Sequence, residues 1–287
     1  MAGVHPAEDP PGLPILAGRS NLALRIVSSL VLAPVAVAAA YFGGVVFIIF
    51  WAVAAAIVFW EWQTLVCAHD RNSVLAIGAA ALVGAAVMLL TGWYGTALAL
   101  VALSGFGVAA LASRARRAWC AGGLLYAAAL LVAPVVLRND PALGFAAILF
   151  VFAVVWFSDI VAYFAGRAIG GPKLMPSVSP KKTWSGAIGG TAGGVIGGVL
   201  VARYSGIANL GAAAAVAFVL SLISQAGDLL ESAIKRRFNT KDASQLIPGH
   251  GGLMDRVDGF VTAALAAALI GIAHGGVHAP ARGLMVW

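Results

Sequence analysis

Runs of about 20 apolar residues, separated only by short polar breaks, recur along this chain from near Leu22 onward. A run of that length crosses the hydrocarbon core of a bilayer as a helix. In lipid the backbone amides must find their partners within the segment, which leaves helices or closed barrels. The chain therefore reads as an all-α, polytopic integral membrane protein. Polar breaks divide it into about nine spans, near 22–42, 45–68, 73–91, 95–113, 118–137, 142–166, 186–203, 209–231 and 257–276. Only Gly43 and Gly44 mark the first turn. Pro34 and Pro134 fall inside spans, where neighbouring helices can satisfy the carbonyls they free. Composition agrees, with 61% hydrophobic and 10% charged residues, where a soluble domain carries about a quarter charged. The Pro-rich tail, 1–21, holds Glu8, Asp9 and a single Lys or Arg, Arg19. It lacks the basic start and small-residue cleavage site of a signal peptide. Cys67 and Cys120 have no obvious oxidised partner and argue for no disulfide framework.

Orientation follows from the cations. With the N-terminus cytoplasmic, the inner loops and helix ends hold all 18 Lys and Arg except Arg138, Arg203 and Arg282. Fifteen against three is a strong positive-inside bias, and it favours an odd number of spans with the C-terminus outside. The net charge of +7 is explained by these inner loops. No basic stretch is interleaved with stacking aromatics, so nucleic acid is not an expected partner. The acids obey no such rule and are more informative. Asp140 falls outside, whereas Glu61, Asp159, Asp228, Glu231, Asp255 and Asp258 lie at the inner ends of spans two, six, eight and nine. Ionisable groups in spans face a cavity, a partner or a substrate path, so six at one depth point to one site. The chain divides into the 1–21 tail, chemically quiet spans over 22–138, and a dense region over 139–287 that should carry catalysis.

Within that region span seven carries Gly186, Gly189, Gly190, Gly193, Gly194, Gly197 and Gly198, whose spacing suits tight helix packing. On span eight Asp228, Glu231, Ser232 and Lys235 share one helical face, with Arg236 and Arg237 following. Cations at a helix C-terminus also suit the macrodipole, but that does not account for two buried carboxylates. Carboxylates facing a phosphate-sized cavity suit magnesium, which takes oxygen ligands and keeps phosphates and waters in its shell. Beyond lie Lys241 and Asp242, then His250-Gly251-Gly252, whose glycines let backbone amides approach an anion. Asp255 and Asp258 stand three apart where span nine begins and can point the same way; helix capping is the competing reading for Asp255.

The run from Ser232 to Asp258, SAIKRRFNTKDASQLIPGHGGLMDRVD, resembles the signature of the phosphatidate cytidylyltransferases, or CDP-diacylglycerol synthases. The preceding Gly227-Asp228-Leu229-Leu230-Glu231-Ser232 looks like the family's approach to it. Upstream, Asp159, Ala162, Tyr163, Gly166, Arg167 and Gly170 resemble its D-x-x-A-Y-x-x-G-R-x-x-G helix. Lys173-Leu174 and Ser179-Pro180-Lys181-Lys182-Thr183-Trp184 follow on what should be a short inner loop, a phosphate cradle in chemical character. One departure is Ser185, where many relatives carry glutamate.

The resemblance implies that CTP and phosphatidic acid condense to CDP-diacylglycerol and pyrophosphate. It implies catalytic roles for Asp228, Asp255, Asp258, Lys235 and Lys241, and magnesium on Asp228, Asp255, Asp258 and Glu231, with room for a second, monovalent cation such as K+. Substrate contacts fall to Ser179, Lys181, Lys182, Thr183, Ser232, Arg236, His250, Gly251, Gly252, Arg256, Asp159, Tyr163 and Arg167. It further implies a homodimer, and a bacterial inner membrane with the site facing the cytoplasm. The competing readings are a CTP-dependent lipid kinase and an ion or solute transporter.

Overall fold

The structure is a computed structural model that describes residues 31–67, 71–244, 246 and 251–287. The described residues are mostly helical, with very little sheet. A short apolar helix, α1 (Val31–Phe42), precedes α2 (Gly44–Val66), α3 (Arg71–Leu90), α4 (Tyr94–Leu111), α5 (Arg117–Arg138) and α6 (Gly144–Ala168). A small antiparallel hairpin, β1 (Lys173–Met175) and β2 (Ser179–Thr183), leads into α7 (Trp184–Tyr204), α8 (Leu210–Arg237), α9 (Met254–Gly275) and the short α10 (Pro280–Met285). Helices α2 to α9 are each long and apolar enough to cross a membrane, and the protein is an all-α polytopic membrane protein. These eight correspond to the second through ninth expected spans. The first, near 22–42, is described only from Val31, as the 12-residue α1; the 1–21 tail, Arg19 and Leu22 lie outside the described residues.

The turns have local causes. Gly43 and Gly44 adopt φ of 64° and 48°, conformations that cost a residue with a Cβ, so α1 ends and α2 begins within one residue. The Arg138 side chain crosses to donate to the carbonyls of Ala40 (2.5 Å) and Tyr41 (3.1 Å), satisfying oxygens that the end of α1 leaves without helical partners. Asp140 Oδ1 accepts from the amides of Ala142 and Leu143, each at 2.9 Å, at the start of α6. Asn209 caps α8 through the amide of Ala212 (3.0 Å). One arginine and the acid assigned to the outer side thus serve as caps.

Two features hold the site-bearing helices in register. The glycines of α7 lie directly against the backbone of α6: a Cβ added at Gly190 would sit 2.9 Å from the Ser158 carbonyl oxygen, and one at Gly193 2.8 Å from that of Phe157. This is the close packing the glycine spacing anticipates. Buried hydroxyls and an amide extend the seam to α8, with Ser158 Oγ 2.7 Å from Ser221 Oγ and Gln225 Nε2 donating to Thr191 Oγ1 at 3.0 Å. On the other side, Trp51 of α2 stacks on Phe260 of α9 with centroids 4.8 Å apart, and Phe260 meets Phe152 of α6 at 5.2 Å. The quiet and dense regions therefore share one aromatic core. Bulky side chains such as Phe42, Leu103, Phe106, Phe164 and Ile188 stay exposed on the helix flanks, as lipid-facing surface requires.

Candidate active site

A cavity of about 700 Å³ opens where α6, the hairpin, α7, α8 and the start of α9 meet. Its wall on α6 is Asp159, Tyr163, Gly166 and Arg167; the hairpin contributes Leu174, Lys181, Lys182 and Thr183; α8 contributes Gln225, Asp228 and Lys235; Asp242, Asp255, Arg256 and Asp258 complete it. Eleven sequence-derived candidates are therefore brought together from four separate segments.

The short loop expected here is a two-stranded hairpin. Lys173 pairs with Thr183 and Met175 with Ser179, and the Trp184 amide donates to the Pro172 carbonyl at 3.1 Å. Thr183 then caps α7, its hydroxyl accepting from the Gly186 amide at 3.1 Å. Ser185, the residue at which this chain departs from many relatives, hydrogen-bonds the Thr183 hydroxyl at 3.0 Å and donates to the Gly170 carbonyl. It fastens the hairpin to the end of α6. Arg236 reaches the same hairpin through the Val178 carbonyl (3.5 Å).

Lys182 extends from β2 to Asp228, 2.5 Å between Nζ and Oδ2, with both side chains about 30% exposed: 29% and 30%. Asp258 lies within electrostatic reach of Asp228, Glu231 and Asp159, and Asp159 in turn interacts with Asp228, Lys182 and Arg256. The cavity thus alternates carboxylates with cations. At its edge Arg167 donates to the Tyr163 hydroxyl at 3.4 Å, both residues being exposed.

Three acids have other partners. Lys235 Nζ stands 2.6 Å from Glu231 Oε2 and 2.5 Å from Asp255 Oδ1. Asp255 Oδ2 accepts from the amides of Gly252 (2.8 Å) and Ala243 (3.0 Å). Both oxygens of Asp255 are therefore engaged, but its side chain does not cap α9: it reaches back to amides that precede the helix, and Leu253 at the N-cap makes no side-chain cap bond. Glu231 is buried against Lys235 and does not line the cavity. Glu61, expected to join the acid cluster, instead accepts the first amides of α9: Leu253 (2.9 Å) and Met254 (2.6 Å). The cluster of six is thus an open set, Asp159, Asp228 and Asp258, and a braced set, Glu61, Glu231 and Asp255.

Ser179, Ser232, Arg236, Lys241, Gly251 and Gly252 are not among the cavity-lining residues, and His250 lies outside the described residues. Gln225 and Asp242 line the cavity without having been assigned a role in the site. Both had a signal: Gln225 lies one helical turn before Asp228, and Asp242 follows Lys241 in the quoted signature.

The sequence profile described as "Cytidylyltransferase family" matches residues 23–273, which takes in every segment of the cavity. The chain belongs to the cytidylyltransferase family. Within that family it is 42% identical over 274 residues to the phosphatidate cytidylyltransferase of Brucella abortus biovar 1 (strain 9-941), covering 88% of this chain and 94% of that one. It is 36% identical over 259 residues to the phosphatidate cytidylyltransferase of Pseudomonas aeruginosa, covering 83% and 93%. With that of Haemophilus influenzae, 42% identity extends over 130 residues, 44% of this chain. As a cytidylyltransferase, the chain has to bring a nucleotide's phosphates against an acceptor, and its cavity combines the cations and carboxylates such a meeting requires.

Proposed function

We propose that this protein is an integral-membrane phosphatidate cytidylyltransferase that condenses CTP with phosphatidate to give CDP-diacylglycerol and pyrophosphate. The observation that carries this reading is the cavity itself: open carboxylates on α8 and α9 face lysines of the hairpin and an arginine of α9 at a membrane-embedded bundle's polar end. Similarity to enzymes of that name over 88% and 83% of this chain supports the substrate pair.

In the mechanism, a phosphate oxygen of phosphatidate attacks the α-phosphorus of CTP and pyrophosphate leaves. Two polyanions repel, so alignment and charge neutralisation dominate. Lys181, Lys182 and Arg256 contact the nucleotide's phosphates, with Lys241 and the Gly251-Gly252 backbone nearby in the sequence. The lipid phosphate sits on the α6 side, where Tyr163 and Arg167 are exposed beside the apolar Ile160 and Phe164. The phosphate of phosphatidate is ionised near neutral pH, so no side chain has to act as its base.

The donor set suits a hard divalent cation. Asp228 and Asp258 provide carboxylate oxygens on one cavity, Asp159 lies within their electrostatic reach, and magnesium habitually completes its shell with waters and phosphates. No group of three or more His, Cys, Asp or Glu side chains poised to hold a metal occurs among the described residues. When bound, magnesium would neutralise charge on the transferring and leaving phosphates. Asp228 and Asp258 would hold it, while Lys235 keeps Asp255 and Glu231 in place. A second, monovalent cation remains part of the proposal on the resemblance alone, as does a homodimer. The positive-inside bias supports a cytoplasmic site in a bacterial inner membrane.

The test uses purified protein with phosphatidic acid and CTP labelled in either the α- or the γ-phosphate. Transfer of α-label to lipid, with γ-label released as pyrophosphate, is expected. Transfer of γ-label to diacylglycerol supplied in place of phosphatidic acid would identify a lipid kinase, and no CTP consumption with either lipid would favour a transporter.

A further inference from the structure

Glu61 lies on α2, in the half of the chain that supplies no cavity residue, and its residue is fully buried, 0% exposed. A carboxylate in that position is costly unless its oxygens are filled. Among the described residues they are filled by one segment. Oε1 accepts from the Ser244 hydroxyl at 2.6 Å and the Leu253 amide at 2.9 Å, and Oε2 accepts from the Met254 amide at 2.6 Å. Ser244, within the connection between α8 and α9, and the residues that begin α9 are thus tied to one side chain. Gly252 fits against it closely enough that an added Cβ would stand 2.7 Å from Oε1.

The platform beneath Glu61 is itself anchored. Its neighbours Trp62 and Gln63 donate to the carbonyls of Trp119 and Cys120 on α5, each at 2.8 Å. The segment that Glu61 holds leads directly into Asp255, Arg256 and Asp258, and Asp242 lies two residues before Ser244; all four line the cavity. Negative charge at the N-terminus of α9 is also favoured by the helix dipole.

We infer that Glu61 is a positioning residue for cytidylyl transfer, setting the start of α9 and Ser244 at the geometry that receives the nucleotide. This rests on the proposed function above, with the nucleotide on the α9 side and the lipid phosphate on the α6 side. Glu61 touches neither substrate. It acts through Ser244, Leu253 and Met254.

The experiment compares Glu61→Gln, Ser244→Ala and Ser244→Thr with the unaltered full-length protein in detergent-lipid micelles. The carboxamide keeps the shape of Glu61 but replaces one acceptor oxygen with an NH2 that cannot accept from a backbone amide. A misplacement approaching 1 Å can alter a reaction up to about a hundredfold. The expected result is that Glu61→Gln raises KM for CTP by about tenfold or more, with KM for phosphatidate within about twofold of unaltered protein. Ser244→Ala should move KM for CTP in the same direction by less, and Ser244→Thr, which keeps the hydroxyl, should restore it. Hydrogen exchange should show lost protection at Leu253 and Met254 in Glu61→Gln. Loss of active protein alone lowers the apparent kcat and leaves both KM values unchanged, so that result, or equal shifts in the two KM values, overturns the inference. If Glu61→Gln does not fold, Ser244→Ala decides: a selective rise in KM for CTP supports the inference and unaltered kinetics refutes it. CTP turnover by the unaltered protein separately tests the reaction on which the inference stands.

Discussion

Replacing Lys235 with methionine should destabilise the bundle more than any single change at an exposed charge. The Lys235 side chain is 11% exposed and holds together two acids whose side chains are 1% (Glu231) and 7% (Asp255) exposed. Its removal leaves two nearly buried carboxylates without their cation. Breaking a buried pair from one side costs about 3–5 kcal/mol. At roughly 2–4 °C per kcal/mol for a domain of comparable size, the melting temperature should fall by roughly 6–20 °C. Asp255 still has the Gly252 and Ala243 amides, whereas Glu231 keeps no hydrogen-bond partner among the described residues. The second change Glu231→Gln should therefore recover more than half of the loss, a coupling of about 1–3 kcal/mol. Thermal unfolding of the single and double variants in one detergent reads both numbers. A Lys235→Met protein that melts within 2 °C of the unaltered one, a margin set by roughly 2–4 °C per kcal/mol, would refute the reasoning. So would a double variant no more stable than the single one.

Other substitutions separate stability from chemistry. Lys182→Met removes a partly exposed pair with Asp228, so stability should change by less than about 1 kcal/mol while KM for CTP rises, measured by thermal unfolding beside steady-state kinetics. Gly190→Val forces α7 away from the Ser158 carbonyl of α6; overpacking costs about 1–3 kcal/mol and should lower turnover by displacing Asp159, checked by melting and activity on the same preparation. Ser185→Ala releases the hairpin from the Gly170 carbonyl, and limited proteolysis between residues 170 and 183 should become faster while the transmembrane core resists.

Much of this architecture could be read from hydropathy, because a bilayer imposes helix lengths and hides few alternatives. Eight expected spans reappear within a few residues, except at the end of α8. There the helix runs to Arg237 rather than stopping near 231, since it continues after the apolar stretch has ended. The face shared by Asp228, Glu231 and Lys235 was legible from helical spacing. The partnership of Lys235 was only half legible: its pair with Glu231 is an i,i+4 contact that spacing allows, whereas Asp255 reaches it from α9, a contact between helices that local periodicity cannot encode. The hairpin was hidden for another reason. Its five-residue second strand, SPKKT, has a proline, two lysines and little apolar alternation, so nothing marks it as a strand. Glu61 was visible as a costly acid, but its partners lie 183 to 193 residues away. Only the folded chain shows that it braces α9 instead of joining the open carboxylates.

Asp258 distinguishes a working carboxylate from a structural one most directly. Asp258→Asn replaces a carboxyl group within electrostatic reach of the acids Asp228, Glu231 and Asp159 by a neutral amide of the same shape, so the fold should be at least as stable as before. With purified protein, magnesium, α-labelled CTP and phosphatidic acid, the account predicts an unchanged or higher melting temperature together with loss of labelled lipid. Labelled lipid formed at the unaltered rate by a folded Asp258→Asn protein would contradict it.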